Sequence, residues 1–172
     1  MIRPDESRLT RPAGPLTLEA WRRFRAGDAA SITLFLKVDR LRALAGFDAR
    51  LGSGRWYGSS EDTDLVLRML AHGCRLEYCP TIRVHHANRK MPPLTWAQCQ
   101  RFRAYGRGTG AIYAKHRLSA WVIMRGLSGP LWHALHAPAP GAAFALALCT
   151  IVGRIEGMCS WLLRERDREA GA

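Results

Sequence analysis

The sequence predicts an α/β unit followed by C-terminal amphipathic helices, and three observations carry that expectation. SITLFLK (31–37) is rich in β-branched and aromatic residues, SSEDTDLVLRMLAHG (59–73) has the strongest helical pattern, and CRLEYCPTIRVHH (74–86) alternates like one or two short strands broken at Pro80. The order strand, helix, loop, helix, strand is that of an α/β fold.

The elements follow in order. Residues 1–15 are polar and proline-containing and are expected to be a leader, after which LTLEAWRRFRAG suits a short basic helix with Leu18, Trp21 and Phe24 or Leu16 on one side. VDRLRALAG spaces Val38, Leu41, Leu44 and Ala45 helically and stops at Gly46. FDARLGSGRWYGSS, with Gly52, Gly54 and Gly58, reads as a loop free to approach a ligand. Pro92 and Pro93 open a basic amphipathic helix, TWAQCQRFRAY, expected to end at the glycine run GRGTG. From Ala111 the pattern is helical and apolar, with breaks expected at Gly129–Pro130 and at Pro138 and Pro140. GAAFALALCTIVG (141–153) is about five residues short of a bilayer span before Arg154 and Glu156, so it reads as an interfacial or packed helix. Three segments result: 1–29, a leader and short helix; 30–115, the α/β unit; and 116–172, a helical tail. That tail either lies on an anionic membrane surface or covers the core as a hairpin.

The chain has 172 residues, a formal net charge of +12 and a pI near 10.5. Such a charge calls for an anionic partner, but no nucleic-acid reading motif is present, so nucleic acid is not expected. The N-terminus lacks the apolar core of an export signal and the five cysteines are scattered. Both point to the cytoplasm, with a peripheral position on the inner face of the membrane as the variant.

SSEDTDLVLR (59–68) sets three acids in four residues of this basic chain. Ser59 or Ser60 suits an N-cap, and acids in a first turn face the positive end of the helix dipole. On a helical wheel with Glu61 at the origin, Leu65, Met69, Val66 and Leu70 form one apolar face, and Asp62, at roughly 100°, lies in the middle of it. Asp64 falls on the other side of the wheel beside Arg68, as an exposed i,i+4 pair. The wheel thus turns Asp62 inward, where desolvation would favour a base, and leaves Asp64 on the solvent side. Capping alone also accounts for the cluster.

GFDARLGSGRWYGSSEDTDLVLRMLAHGCRLEYCPTIRVHH resembles the second half of the catalytic domain of family 2 glycosyltransferases, with their Gly-Phe-Asp-Glu, Glu-Asp-x-Asp-Leu, Arg, Gly, Tyr-x-Pro and His pattern, over residues 30–115. The resemblance implies a partial GT-A fold, a Rossmann-like nucleotide-diphospho-sugar transferase architecture. It implies transfer of a sugar from a nucleotide-sugar donor to a hydroxyl of a glycan, lipid or small-molecule acceptor, with inversion. Asp62 would be the base and Glu61 its support, while Asp64 would be structural or touch acceptor. His86, with His85 as fallback, would hold a divalent metal, manganese or magnesium. QCQRF (98–102) resembles the Gln-x-x-Arg-Trp element of processive relatives, with Phe102 in place of tryptophan. It would set Arg101 and Gln98 against diphosphate and acceptor, with Trp56 and Tyr57 stacking on a sugar. The family's Asp-x-Asp metal motif does not occur upstream of the match. The resemblance therefore implies the acceptor-side half, either a truncated or inactive remnant or a chain whose donor-binding half comes from a second polypeptide. The alternative is a non-catalytic protein that docks on membranes through basic amphipathic helices.

Overall fold

The computed structural model describes residues 15–22, 34–77, 79 and 94–170. In chain order the elements are β1 (Pro15–Leu16), α1 (Leu18–Arg22), α2 (Val38–Ala43), α3 (Glu61–Ala71), β2 (Leu76–Glu77), α4 (Trp96–Lys115), α5 (Ala120–Leu135) and α6 (Pro140–Ala170). Helix dominates, and the expected C-terminal helices are present. Among the described residues the sheet is a two-residue antiparallel ladder, with Pro15 opposite Glu77 and Leu16 opposite Leu76.

No α/β sandwich is assembled among the described residues, so the fold they form is predominantly helical. Residues 34–37 of the expected SITLFLK strand alternate between half-buried and exposed as a strand would, yet no described neighbour pairs with them. Residues 31–33 and 80–93, where further strand was expected, lie outside the described residues, as does the expected leader up to residue 14.

α2 ends at Ala43, two residues sooner than a stop at Gly46 suggests. Leu44 is its C-cap, Ala45 takes the left-handed conformation with φ 57°, and Gly46 N–H donates to Leu41 C=O at 2.9 Å. α3 begins after Ser60, whose φ of 75° is also left-handed, and the Ser60 side chain makes no capping bond. The serine cap expected there is therefore not formed. α4 does have one: Thr95 Oγ1 accepts from Gln98 N–H at 3.2 Å and Gln98 Oε1 accepts from Thr95 N–H at 3.3 Å.

The expected break at GRGTG is absent, because α4 runs unbroken from Trp96 to Lys115. The glycines serve a helix crossing instead. A Cβ on Gly106 or Gly110 would overlap the backbone of Thr150 or Arg154 of α6, and one on Gly153 or Gly157 would overlap the carbonyls of Arg103 or Arg107 of α4. The pairs 103 with 153 and 107 with 157 advance together, so α4 and α6 run parallel with their backbones in contact. Two Gly-x-x-x-Gly runs, GRGTG and GRIEG, thus face one another. Glu156 clamps the crossing by pairing with Arg103 and, at 3.6 Å, with Arg107.

α5 likewise continues through Gly129–Pro130. Proline has no N–H, so the carbonyl four residues earlier, Gly126 C=O, loses its helical donor. Arg154 of α6 supplies a replacement, its Nη1 donating to Gly126 C=O. The break expected near Pro138 and Pro140 does occur, with Pro140 opening α6 where its missing N–H is harmless. α6 then continues past Arg154 and Glu156, both occupied by neighbouring helices, to a length of 31 residues. The core gathers Leu51 and Tyr57 from the loop, Val66, Leu67 and Leu70 from α3, Ile112 and Tyr113 from α4, and Trp161 from α6.

Candidate functional site

The glycine-rich loop 52–58 meets the start of α3 against one face of α4. The loop is pinched shut by Gly52 N–H donating to Tyr57 C=O at 2.9 Å. Gly52 has φ +106°, a conformation only glycine takes readily, and a Cβ there would lie 3.3 Å from the Glu61 carboxyl carbon. Its far end is fixed by Gly58 N–H to Ala104 C=O at 3.1 Å, and Ser59 Oγ donates to Tyr105 C=O at 2.9 Å. Gly108 leaves room for the Ser59 backbone, since any Cβ would collide with it. These anchors hold Ser60 in its left-handed conformation, which costs a non-glycine residue about 1–2 kcal/mol. Strain of this kind, sustained by its surroundings, gathers at functional sites.

The acids that follow are sorted opposite to the helical-wheel expectation. Glu61 and Asp62 are half-exposed in the first turn, with Asp62 Oδ1 accepting from Thr63 N–H at 2.7 Å. Asp64 is the buried acid, with 0 % exposure. Its carboxylate meets Arg68 Nε at 2.8 Å, Lys115 Nζ at 2.7 Å and His116 Nε2 at 2.9 Å. The expected Asp64–Arg68 pair exists, but it is interior rather than exposed. Arg68 also donates to Leu44 C=O and Gly46 C=O, both at 2.7 Å, which ties α3 to the end of α2. Burial pushes the Asp64 carboxyl up; the hydrogen bonds from His116, Lys115 and Arg68, with the Lys115 charge, more than reverse this and hold it below the ordinary carboxylate range. The helical wheel erred because it treats one helix alone. The side of α3 that carries Asp64 and Arg68 is covered by the end of α2 and by the C-terminus of α4.

Asp48 joins this network through Lys115 at 2.6 Å and Arg50 at 2.7 Å. Burial again raises its carboxyl, and the Arg50 and Lys115 hydrogen bonds bring it well below the usual value. Arg50 and Lys115 in turn lie 4.1 and 5.4 Å from the ring centre of Trp161. None of Asp48, Arg50, Lys115 or His116 was singled out from the sequence. Leu67, which the wheel sets between Leu70 and Asp64 and which is buried, was the available signal that the interior face extends toward Asp64.

Arg101, Tyr105 and Gly108 share one face of α4 at i, i+4 and i+7, the face on which Ser59 rests. Arg101 Nε and Nη2 both donate to Tyr105 Oη, at 3.0 and 2.8 Å, and both residues are exposed. Arg101 thus stands about 10 Å along α4 from Gly108, toward the N-terminal end of that helix, whereas the chain from Gly58 to Asp64 advances along α4 toward its C-terminus, from Ala104 to Lys115. Gln98 lies one turn further and its amide is engaged in the α4 capping box.

Trp56 and Tyr57 part company. Trp56 is 44 % exposed, with the Arg107 guanidinium 4.7 Å from its ring centre and Arg107 Nε donating to Trp56 C=O at 2.8 Å. Tyr57 is buried in the core, its hydroxyl 3.1 Å from Ser160 Oγ and its ring edge-on to Trp161. It is therefore not placed to stack on a sugar, and that expectation is corrected. His85 and His86 lie outside the described residues. Among the described residues, no three His, Cys, Asp or Glu side chains converge as a metal site. A cleft lined by Leu18, Glu19, Arg22, Arg117, Leu118 and Ser119 involves none of the expected site residues.

Chemically, the arrangement offers two carboxylates at a strained helix start, an exposed indole backed by arginine, and a further arginine on the adjoining helix face. Compared with protein-family models, curated proteins and solved structures, the chain matches none.

Proposed function

We propose that the chain is the acceptor-side half of a family 2-like glycosyltransferase, in which Asp62 takes the proton from an acceptor hydroxyl as it attacks the anomeric carbon of a nucleotide sugar. The observation that carries this reading is the division of labour in Glu-Asp-x-Asp. Asp64 is enclosed by three cationic or imidazole partners, while Glu61 and Asp62 stand half-exposed in the turn after a strained residue.

A general base must be reachable by its substrate, and Asp62 meets that condition where Asp64 does not. Glu61 supports the turn against Gly52. Trp56 offers a ring face for a sugar, and Arg101 a bidentate donor for diphosphate once it leaves Tyr105. Gln98 keeps the start of α4 in register. By the same resemblance His86, or His85, would hold a manganese or magnesium ion, which would neutralise donor diphosphate; the described residues do not build such a site by themselves. The donor-binding half belongs to a polypeptide region beyond the matched residues.

Nucleotide sugars of several bases and hexoses, offered with manganese, test the reading by calorimetry and by transfer to lipid or glycan acceptors. Binding or transfer supports it. Absence of both, with the chain alone and in the presence of a donor-binding partner, refutes it.

A further inference from the structure

We infer that the outer face of α5, together with that of α6, docks this protein onto an anionic lipid bilayer. α5 is amphipathic in the inverted sense, exposing larger apolar groups than it buries. Its inner face contributes Val122 and Ala134 to the interior, whereas Trp121, Met124, Trp132 and Leu135 are 56–64 % exposed. Those four fall within an arc of about 80° along the whole helix, a stripe on one side rather than scattered residues. α6 repeats the pattern: Leu148, Val152, Ile155 and Leu162 are exposed at spacings of four, three and seven, opposite the glycines that meet α4.

Charge identifies the occupant. Between Glu77 and Glu156 the sequence contains no acid, and every charged side chain in that stretch is Arg or Lys. Arg125 borders the α5 stripe with its guanidinium 5.3 Å from the Trp121 ring centre. A second copy pressed on this face would bring arginine against arginine, in a chain already at +12. Anionic headgroups complement the same rim, and tryptophans favour the headgroup level.

The helix lies on the bilayer rather than crossing it. The stretch Pro140–Arg164 of α6 is apolar and long enough to span, with mean hydropathy 1.6. But α6 is locked backbone to backbone with α4, so a crossing α6 would draw Arg101, Arg103, Arg107 and Lys115 into hydrocarbon. Docking through the exposed stripes leaves those cations in water.

The test is flotation of the full chain with phosphatidylcholine vesicles, with and without phosphatidylglycerol. Binding is expected only with phosphatidylglycerol, weakening as salt rises, with tryptophan fluorescence quenched by brominated lipid. Trp121→Ser combined with Trp132→Ser should weaken it by at least about tenfold while leaving the circular dichroism spectrum unchanged. Conversion of Arg125→Glu, which keeps the apolar stripe, should reduce the salt dependence. Unchanged vesicle binding by the tryptophan variant would overturn the inference. So would indifference to phosphatidylglycerol, or a dimer in sedimentation that the same two substitutions dissociate without any vesicle binding.

Discussion

Asp64 and Asp62, two residues apart, differ in burial, the first enclosed and the second half-exposed. Asp64 has no exposure and three partners, so Asp64→Asn removes the charge that compensates Arg68 and Lys115. Breaking a buried pair in this way costs about 3–5 kcal/mol, to be read from urea unfolding. Asp62→Asn, at a half-exposed position, should stay within about 0.5 kcal/mol of the parent in the same measurement. Protonation asks the same question without mutation. The Asp64 and Asp48 carboxyls are held below their ordinary values in the folded protein, so the unfolded chain binds protons more readily. Their contribution is therefore complete above the unfolded carboxylate value, about pH 4, and is lost as pH falls below it toward the lowered folded values. Thermal melts should change little on their account between neutrality and about pH 5, then drop. The identity of the acidic cluster was legible in the sequence, but its orientation was not. A helical wheel reports angles around one axis, and the residues that enclose Asp64, Lys115 and His116, come from more than 50 positions away.

Helices α4, α5 and α6 show how residues that ordinarily break helices can be retained by their neighbours. GRGTG and Gly129–Pro130 look like stops in a single sequence, and in isolation they would be. Gly106 and Gly110 are retained because α6 lies in contact with them, and Pro130 because Arg154 satisfies the carbonyl it strands. Gly153→Ala must force the α4–α6 backbones apart and should destabilise by about 1–3 kcal/mol, whereas Gly141→Ala, at the exposed start of α6 with nothing within 4 Å, should stabilise by about 0.5–1 kcal/mol. Arg154→Met should cost about 1–3 kcal/mol by leaving Gly126 C=O without a donor. In a Pro130→Ala background, where the helix restores that donor, the loss should shrink, and a double-mutant cycle on melting curves measures the difference. The starts of α4, just after Pro92 and Pro93, and of α6, at Pro140, were legible, whereas the break between α4 and α5 capped by Ser119 was not, because the apolar pattern runs on from Ala111. The continuity of the helices was not legible either, since it depends on contacts between helices.

For the molecule as a whole, the sequence pattern suggested an α/β layer and the described residues form a helical body with a two-residue ladder beside it. The segment 34–37 keeps strand-like alternation, but a strand requires a hydrogen-bonding neighbour that sequence alternation cannot supply. The loop 52–58, with Ser59 after it, meets α4 at Ala104, Tyr105 and Gly108. Its aromatic pair divides: Trp56 is presented and Tyr57 is used to build the core against Trp161. In the proposed reaction the half-exposed Asp62 takes the proton and the enclosed Asp64 holds the fold. Sugar transfer by the Asp62→Asn protein, assayed with its donor-binding half present and alongside donor binding and thermal melting, tests this most directly. Transfer is expected to fall by about a hundredfold or more with donor binding and melting kept; undiminished transfer by Asp62→Asn would mean that the base is another group.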